Sequence, residues 1–360
     1  MSAQHDLPTP PSDAISALRF SPSGTKLAVA SWDSSISIYT HDPSLQAADD
    51  APFTRESVVP TRAAVLDVAW GLDDSTLFFV GLDHDVRVMT EGGGQEVLST
   101  HEQPSNKVLY SKAQNVVIST GWEGCMHVQE PQSKQHVRIQ LAAKPFAVGL
   151  TDARLVVAMA SRKVSVYDLH ALRMLLDQTG GSTDREEALE VAPWQARESS
   201  LKFMTRALSC MPDGTGFATS SIEGRVAVEW FDPEEQKKTY AFKCHRQTNT
   251  VEEAGEEKRV DIIYPVNALA FHHVHGTFAT GGGDGVVAIW DAQTKRRIKQ
   301  YGKFGTSVAA LDFSNDGKFL AVGVSPGFED GQEDTDPDPS LVKVVIRTMA
   351  DDEAKGKPAK

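Results

Sequence analysis

The sequence predicts an all-β protein whose seven small sheets are arranged as the blades of a propeller. One segment recurs seven times, and each copy alternates apolar and polar residues with a period of two, as half-buried strands do. The copies contain tight turns in which Gly follows Asp or Ser, a composition typical of hairpins. A single small sheet cannot bury both of its faces, whereas sheets stacked radially can.

Each copy has the same internal order. An alternating strand is followed by a polar turn, a second strand that ends in small residues, a tight turn that is usually acidic, and a third strand. No segment shows a helical period of useful length, so we expect no helix. We expect one propeller over residues 14–348, with acidic insertions near 248–261 and 326–340. The seven copies span residues 14–39, 64–89, 108–128, 144–169, 206–232, 266–291 and 308–348.

The 360 residues carry a formal net charge of −13. This balance argues against a general nucleic-acid-binding protein, because that function needs a basic face. The acidic residues are concentrated in runs at 252–258, 328–338 and 351–356. We interpret these runs as solvated loops, and an acidic surface that steers a partner is the alternative. Residues 349–360 are expected to form a flexible charged tail.

Three widely separated cysteines, Cys125, Cys210 and Cys244, indicate a reducing compartment. The apolar stretches are far shorter than the roughly 20 residues of a membrane span. The first residues lack the basic start and apolar stretch of a secretion signal. We therefore expect an intracellular protein without membrane contact.

No arrangement of residues predicts catalysis. The sequence contains no GxSxG, HExxH or Walker-type motif, and no GxGxxG ahead of a helix. His272, His273 and His275 have no Cys or acidic ligand nearby, and we interpret them as part of a solvated turn. We expect no enzyme, no cofactor and no metal. The alternative is a propeller enzyme with a site in the central channel.

The tight turn after the second strand carries two tryptophans at one equivalent position. Trp32 in the first copy and Trp122 in the third directly precede the acid of that turn. One interpretation is that each indole packs against a neighbouring loop. The other is a pair of aromatic anchors for a partner, because Trp is enriched among interface hot spots. The aligned acids are Asp33, Asp83, Glu123, Glu223 and Asp284.

Cations accumulate in the fourth and fifth copies, on the rim that carries these turns. The residue two after the turn acid is Arg225 in the fifth copy, and its equivalent in the fourth is Lys163, beside Arg162. Arg206 begins the first strand of the fifth copy. On a chain of net charge −13, such convergence favours an acidic or phosphorylated peptide as ligand. The link FKCHR, which follows the fifth copy, adds Lys243 and Arg246.

The sixth copy, with GGGDG (281–285) and IWD (289–291), resembles the WD repeat. The segments SWDSS, GLDH, ESSLKFMTR and IYPVNA make the resemblance more specific. They are similar to the family of the third BUB-group (budding uninhibited by benzimidazole) spindle-assembly-checkpoint WD-repeat protein. EGRVA and FKCHR are shared with its paralogues, the mRNA-export WD-repeat factors that dock at nuclear pores.

This resemblance implies that different residues on one face of the propeller bind different partners. Trp32 and Trp122 would pack against the GLEBS motif, a glutamate-bearing segment of the checkpoint kinase and of its pseudokinase-like relative. Arg206 would pair with one glutamate of that segment. Arg225 and Lys243 would hold the phosphothreonine of MELT repeats in the kinetochore scaffold. The remaining cations of the rim, as an accessory set, are Arg162, Lys163 and Arg246.

The implied function is that of a monomeric checkpoint adaptor in the nucleus and, during mitosis, at kinetochores. The mitotic checkpoint complex is a further implied partner, and residues 1–13 would supply the strand that closes the last blade. The alternative is the mRNA-export factor. The third copy departs from the family pattern at its turn GWEG (121–124), which weakens the transfer of Trp122. The acidic insertion at 248–261 would compete with a phosphopeptide if it folded over the rim.

Overall fold

Seven antiparallel sheets form a closed ring, which confirms the predicted seven-bladed β-propeller. The structure is a computed structural model that describes residues 4–41, 53–90, 92–180, 187–253, 256–327, 338–350 and 352–356. The first strands of neighbouring blades contact one another around the ring, so they form its inner wall. Within the described residues, an eighth sheet of two strands lies between blades five and six.

The strands follow the repeats of the sequence closely. In chain order the elements are β1 (Gln4–Asp6), β2 (Ile15–Phe20), β3 (Lys26–Ser31), β4 (Ser35–His41), β5 (Phe53–Pro60), β6 (Val65–Trp70), β7 (Leu77–Gly81), β8 (Asp85–Met89), β9 (Gln95–Thr100), β10 (Ser105–Ser111), β11 (Val116–Gly121), β12 (Cys125–Gln129), β13 (His136–Gln140), β14 (Pro145–Leu150), β15 (Arg154–Met159), β16 (Lys163–Asp168), α1 (Leu169–Thr179), β17 (Leu189–Glu190), β18 (Gln195–Glu198), β19 (Thr205–Cys210), β20 (Gly216–Ser221), β21 (Arg225–Trp230), β22 (Tyr240–Lys243), β23 (Arg246–Glu253), β24 (Glu256–Ile263), β25 (Val266–Phe271), β26 (Phe278–Gly282), β27 (Val287–Asp291), β28 (Arg296–Gln300), β29 (Val308–Phe313), β30 (Phe319–Val324) and β31 (Lys343–Thr348).

Blades one and two consist of β2–β5 and β6–β9. Blade three contains β10–β13 and the short parallel strand β17, and blade four contains β14, β15, β16 and β18. Blades five and six are β19–β22 and β25–β28. Blade seven combines β29–β31 with β1, which pairs antiparallel with β31 and lies at its outer edge. The two ends of the chain therefore meet in one sheet.

The hydrophobic core lies between the blades. Seven clusters of buried apolar side chains occur among the described residues, and each joins two neighbouring blades. The cluster between blades seven and one, for example, contains Ala321 and Ile346 from one side and Leu18 and Val29 from the other. Because no cluster belongs to one blade alone, each blade depends on its neighbours for its core.

The helix α1 contradicts the expectation that no helix would be found. Asp168 caps its first turn, with the carboxylate accepting a 2.9 Å hydrogen bond from the Ala171 amide, and Gly180 ends it in the left-handed conformation. Leu169, Leu172 and Leu176 form its buried stripe. Of this stripe, only Leu169 lies within the predicted repeats, as the last residue of the fourth copy. No helix in the described part of the chain is long and apolar enough to cross a bilayer.

The acidic run at 252–258 is a second correction, because its described residues lie in paired strands and not in an irregular loop. Strands β23 and β24 pair as a hairpin whose register runs from Arg246 opposite Ile263 to Glu253 opposite Glu256. Thr248 donates a 2.8 Å hydrogen bond to Asp261 across the pair. The run at 328–338 lies outside the described residues except for Asp338.

The C-terminal residues 349–356 also differ from the flexible tail that the sequence predicted. Glu353 is buried and accepts from Lys299, with Nζ 2.5 Å away, and from Arg347, whose Nη2 lies 2.7 Å away. Ala354 is buried in the cluster between blades six and seven, and its carbonyl accepts a 2.7 Å hydrogen bond from Thr277. The described part of this segment is therefore docked on the ring. Residues 357–360 lie outside the described ranges.

A buried polar chain fixes blade six. The indole Nε1 of Trp290 donates to the Thr280 hydroxyl at 3.0 Å, and His245 lies 2.8 Å from both Thr280 and Asp284. The equivalent chain in blade three is incomplete. Gln129 is the blade-three equivalent of Trp290, because Gln129 pairs with Val117 in blade three as Trp290 pairs with Phe278 in blade six.

The amide of Gln129 is fully buried, and neither its oxygen nor its nitrogen has a hydrogen-bond partner among the residues that the structure describes. The imidazole of His127 stacks on that of His101 at 3.7 Å between ring centroids, next to this position. Burial, with His101, His136 and Arg138 nearby, holds the pKa of His127 well below its usual value. Blade three thus has a buried amide without a hydrogen-bond partner among the described residues, whereas the equivalent side chain of blade six, Trp290, is hydrogen-bonded.

His272 is not solvated, contrary to the interpretation of the turn at 272–275. The side chain is buried, its Nε2 lies 3.2 Å from the Gly317 carbonyl of blade seven, and its Nδ1 accepts from the amides of Val274 and His275. Burial lowers the pKa of His272 to about 4, and His275 and His273 add to this effect. The imidazole is a structural link between blades six and seven.

The ion pairs of Glu353 should make the stability of the protein depend on pH. Burial alone raises the pKa of this carboxyl, but the hydrogen bonds from Lys299 and Arg347 lower it overall to about 2. The folded pKa is below the unfolded value, so this contribution is complete above pH ~5 and is lost as the pH falls towards 2. We expect the free energy of unfolding of Glu353→Gln at pH 7 to be about 2 kcal/mol below that of the wild type. In urea titrations this difference should disappear near pH 2. Glu235→Gln, a change in an exposed pair, should cost almost nothing; equal costs would contradict this account.

Removal of the buried amide of Gln129 should stabilise the protein. We expect Gln129→Leu to raise the free energy of unfolding by about 1 kcal/mol, because an unpartnered buried amide is penalised. The reciprocal change in blade six, Trp290→Gln, should lower it by about 3 kcal/mol, since it removes packed surface and an indole hydrogen bond. Chemical denaturation measures both. A loss of stability in Gln129→Leu would show that the amide is paired.

Candidate functional site

One rim of the propeller is built from the same backbone hydrogen bond in every blade. The amide that follows the second strand donates to the carbonyl of the residue that precedes the inner strand, over 2.8–3.1 Å. This bond holds the tight turn against the mouth of the central channel. The seven donors are Trp32, Leu82, Trp122, Ala160, Ile222, Gly283 and Ser325. The turn positions aligned in the sequence are therefore equivalent in space.

A second ring of equivalent positions lies just inside the first. The inner strand of each blade has a register irregularity near its second residue, and such bulges re-aim the side chain. All seven of these side chains line one cavity of about 690 Å³ at the channel mouth. They are Ser16, Leu66, Asn106, Phe146, Arg206, Asn267 and Ala309. Arg206 is the charged member of this ring.

The three residues predicted to bind one acidic segment meet at this cavity, since Trp32, Trp122 and Arg206 all line it. The Trp32 side chain is 45% exposed, although it is a large apolar group. Trp122 is half-buried, and the Lys144 ammonium lies 4.6 Å above its ring. Neighbouring apolar side chains that are also exposed and line the cavity are Met204, Ile222 and Ile263.

Arg206 is oriented by a chain of side chains that crosses three blades. Its Nε and NH2 donate to the Asn267 side-chain oxygen at 3.2 and 3.0 Å, and the Asn267 amide donates to the Ser307 hydroxyl at 3.0 Å. The Asn267 amide oxygen therefore orients the guanidinium. Arg206 is exposed and lines the cavity.

The two residues predicted to bind phosphothreonine lie side by side at the top of blade five. Arg225 and Lys243 are direct partners in the β21–β22 pairing. Arg225 is 33% exposed and its Nε lies 3.2 Å from Glu223, whereas Lys243 is exposed. Gly224 permits the turn before Arg225, because its φ is +64° and a Cβ there would lie 2.7 Å from the Cys244 carbonyl oxygen. Two cations at one edge suit a doubly charged phosphate.

The accessory cations are committed largely to the fold. Arg162 donates to the Ser199 and Leu201 carbonyls at 2.7 and 3.0 Å and pairs with Glu198 at 2.9 Å. The remaining two each donate to one backbone carbonyl. Lys163 donates to Ala142 at 3.0 Å, and Arg246 donates to Glu223 at 2.9 Å. The structure gives these side chains a role in shaping the rim turns.

Sequence reasoning missed Lys107, Asp67 and Asn267. Lys107 follows the bulge of blade three and lines both the cavity and the channel beneath it. Its Nζ lies 3.8 Å from the carboxylate of Asp67, which is 1% exposed, and Arg19 lies 3.6 Å from the same carboxylate. The signal for Asn267 lies at the second residue of each inner strand, where Asn267 in the sixth copy is equivalent to Arg206 in the fifth.

One group among the described residues has the composition of a metal site: His101, Glu123 and His127. Hydrogen bonds account for His101 and Glu123, whereas Nε2 of His127 has no partner among the described residues. His101 lies 2.5 Å from Glu123 and 2.9 Å from Ser119, and His127 lies 3.0 Å from Ser99. Burial alone raises the pKa of Glu123, but the hydrogen bond with His101 lowers it overall. This trio is the blade-three counterpart of His245 and Asp284.

Comparison with known proteins agrees with this architecture. The family model of the WD domain, G-beta repeat, matches residues 3–40 and 263–291. The chain is 39% identical to mitotic checkpoint protein BUB3.1 of Arabidopsis thaliana, over 99% of this chain and 96% of that protein. It is 33% identical to spindle assembly checkpoint protein bub3 of Schizosaccharomyces pombe, over 86% and 88%. It is 28% identical to mRNA export factor GLE2 of Chaetomium thermophilum, over 98% and 92%.

Gly224 should be intolerant of a side chain. We expect Gly224→Ala to lower the free energy of unfolding by about 2–3 kcal/mol, because the added Cβ meets two carbonyl oxygens and the positive φ is unfavourable. Gly180→Ala is the matched control, since its φ is +63° but nothing lies within 4 Å of the added carbon. It should cost about 1 kcal/mol. Equal costs in urea denaturation would contradict the close approach at Gly224.

Proposed function

We propose that this chain, which belongs to the BUB3 family of mitotic checkpoint WD-repeat proteins, is a spindle-assembly-checkpoint adaptor. It binds GLEBS segments of the checkpoint kinase and of its pseudokinase-like relative, and it binds phosphorylated MELT repeats of the kinetochore scaffold. The kinases are thereby recruited to kinetochores in the mitotic nucleus. The observation that carries this proposal is the meeting of Trp32, Trp122 and Arg206 at one cavity beside the pair Arg225 and Lys243.

The cavity suits a short segment that carries both apolar and acidic side chains. Exposed indole and aliphatic groups offer contact area that is released from water when a segment covers it. Arg206 offers an exposed guanidinium that the Asn267 side chain orients, and a guanidinium forms strong hydrogen bonds to a carboxylate. These features support the GLEBS assignment for Trp32, Trp122 and Arg206.

The cations of blade five suit a phosphorylated side chain. A phosphothreonine carries close to two negative charges at neutral pH, whereas threonine carries none. Arg225 and Lys243 start from paired strand positions, so both can approach one phosphate. Because Glu223 lies beside Arg225, the positive charge at this edge is partly offset, and a singly charged or neutral side chain is attracted only weakly. Recognition would therefore switch on with phosphorylation.

The mRNA-export function is the second candidate, because the chain is also 28% identical to mRNA export factor GLE2. Both functions would use the GLEBS cavity, so binding of that segment does not distinguish them. The phosphothreonine site does, since the export function gives it no role.

A titration with phosphorylated MELT peptide tests the checkpoint assignment. We expect phosphorylation of the threonine to raise affinity at least tenfold, and Arg225→Ala or Lys243→Ala to remove most of that gain, because each deletes one cation that contacts the phosphate. Isothermal titration calorimetry at two salt concentrations measures both effects. Lys237→Ala is the matched control, since this exposed lysine follows the opposite end of β21 from Arg225, and the variant should bind like the wild type.

The same titration can contradict the proposal. Equal affinity for phosphorylated and unphosphorylated peptide would exclude the checkpoint assignment of Arg225 and Lys243. GLEBS binding that survives in that case would favour the export candidate. No binding of either GLEBS or MELT peptide would overturn the adaptor function as a whole.

A further inference from the structure

Three imidazoles meet where the end of blade two contacts blade three. In the pairing of β12 with β13, His127 lies opposite Arg138 and Gln129 lies opposite His136, so these four side chains share one face of the sheet. His101, which follows β9, stacks on His127 with 3.7 Å between the ring centroids, and the His136 ring lies 5.2 Å from that of His127. Histidines from three elements are thus brought together inside the ring.

Two of these imidazoles are oriented by serine hydroxyls. Nε2 of His101 lies 2.9 Å from Ser119, and Nδ1 of His127 lies 3.0 Å from Ser99. The other nitrogen of His127, Nε2, is buried without a hydrogen-bond partner among the described residues, and so is Nδ1 of His136. A hydrogen bond at one ring nitrogen fixes the ring and leaves the second nitrogen for a metal ion, as in metal-bound histidines generally.

A carboxylate completes the group. Glu123, in the tight turn between β11 and β12, lies 2.5 Å from Nδ1 of His101. One nitrogen of His101, one nitrogen of His127 and one oxygen of Glu123 lie within 4.8 Å of one another. Ligand atoms around a tetrahedral Zn²⁺ stand about 3.4 Å apart, for bonds of about 2.1 Å. Small shifts therefore bring these atoms onto one ion, provided that the two stacked rings, which are 11° from parallel, tilt apart.

The charges around the group suit a divalent cation. Burial lowers the pKa of His127 and of His136, so both rings are neutral at pH 7 and keep a lone pair for a metal. Arg138, on the same face, forms an ion pair with Glu102. Together with Glu123, these groups have a balance of −1, from one positive charge and two negative charges. Neutral imidazoles and one carboxylate are ligands that Zn²⁺ prefers.

We propose that this group binds one Zn²⁺ ion, which joins blade three to the end of blade two. The four ligands are His101, Glu123, His127 and His136. The ion replaces the proton between His101 and Glu123, which passes to water, and it satisfies the unpartnered nitrogens of the other two rings. It stabilises a blade in which Gln129 replaces the hydrogen-bonded indole of blade six. The inference is independent of the proposed function. It departs from the expectation of no metal, because these ligands converge only through strand pairing and ring stacking.

Metal analysis of the full chain tests the site. The purified chain is stripped with a chelator, equilibrated with excess Zn²⁺ and separated from free metal by gel filtration. We expect one zinc ion per chain by elemental mass spectrometry. Co²⁺ added to the stripped chain should give the strong visible absorption of four-coordinate cobalt, which the hydrated ion lacks. Zn²⁺ should also raise the midpoint of thermal unfolding by several degrees, because an ion that binds only the folded state stabilises it.

Variants identify the ligands. We expect His127→Leu to weaken Zn²⁺ affinity by at least about 100-fold, because it deletes a ligand, and Ser99→Ala, which changes a positioning residue, to weaken it about tenfold. Glu123→Gln keeps the size of the side chain and removes its charge, so it should also lose most of the affinity. His170→Ala, a change in an exposed histidine of α1, is the control and should bind like the wild type. Thermal unfolding of each metal-free variant shows whether it folds.

Three results would overturn the site. The first is a wild-type chain that retains no zinc after gel filtration and unfolds at the same temperature with and without Zn²⁺. The second is wild-type affinity in folded His127→Leu and Glu123→Gln, which would place the ion elsewhere on the chain. The third is the weak absorption of six-coordinate cobalt, which is incompatible with four protein ligands around the ion.

Discussion

The structure depends on the burial of apolar surface between blades. Each of the seven described core clusters takes its side chains from two neighbouring blades, so an isolated blade has no core of its own. A row of such blades would leave one apolar face exposed at each end, and closing the row into a ring removes both. The pairing of β1 with β31 and the core cluster between blades seven and one secure this closure, while the docking of Glu353 and Ala354 joins blades six and seven.

Closure also explains how the site can vary while the fold remains. The rim hydrogen bond and the inner-strand bulge use backbone groups, so each recurs in all seven blades whatever side chain is present. All seven positions of the inner ring and four of the outer ring therefore line the same cavity. A tryptophan, an arginine or an alanine can occupy one of them with little effect on the neighbouring blade, which concentrates the choice of ligand in a few side chains.

The sequence predicts well what repeats and poorly what occurs once. Comparison of seven copies revealed Trp32 and Trp122, because a large apolar side chain at a turn position stands out against its equivalents. The helix α1 and the hairpin β23–β24 occur once, so no second copy exposed their pattern, although the cap at Asp168 and the stripe beginning at Leu169 were legible. Lys107 required knowledge of the bulge in blade three, which shifts its side chain towards the axis and depends on pairing that the sequence does not display.

The net charge of −13 gives the cations of the rim and channel a selective role. At physiological salt, charges more than about 8 Å apart are largely screened, so the acidic surface does not cancel Arg206 or Lys107 at contact distance. It does disfavour acidic segments that approach elsewhere on the chain. An acidic ligand is therefore retained where apolar contact and positive charge coincide, at the cavity that Trp32 and Arg206 share. Neither the tryptophans nor the cations would achieve this selection alone, because apolar contact does not distinguish charge and exposed charge binds weakly.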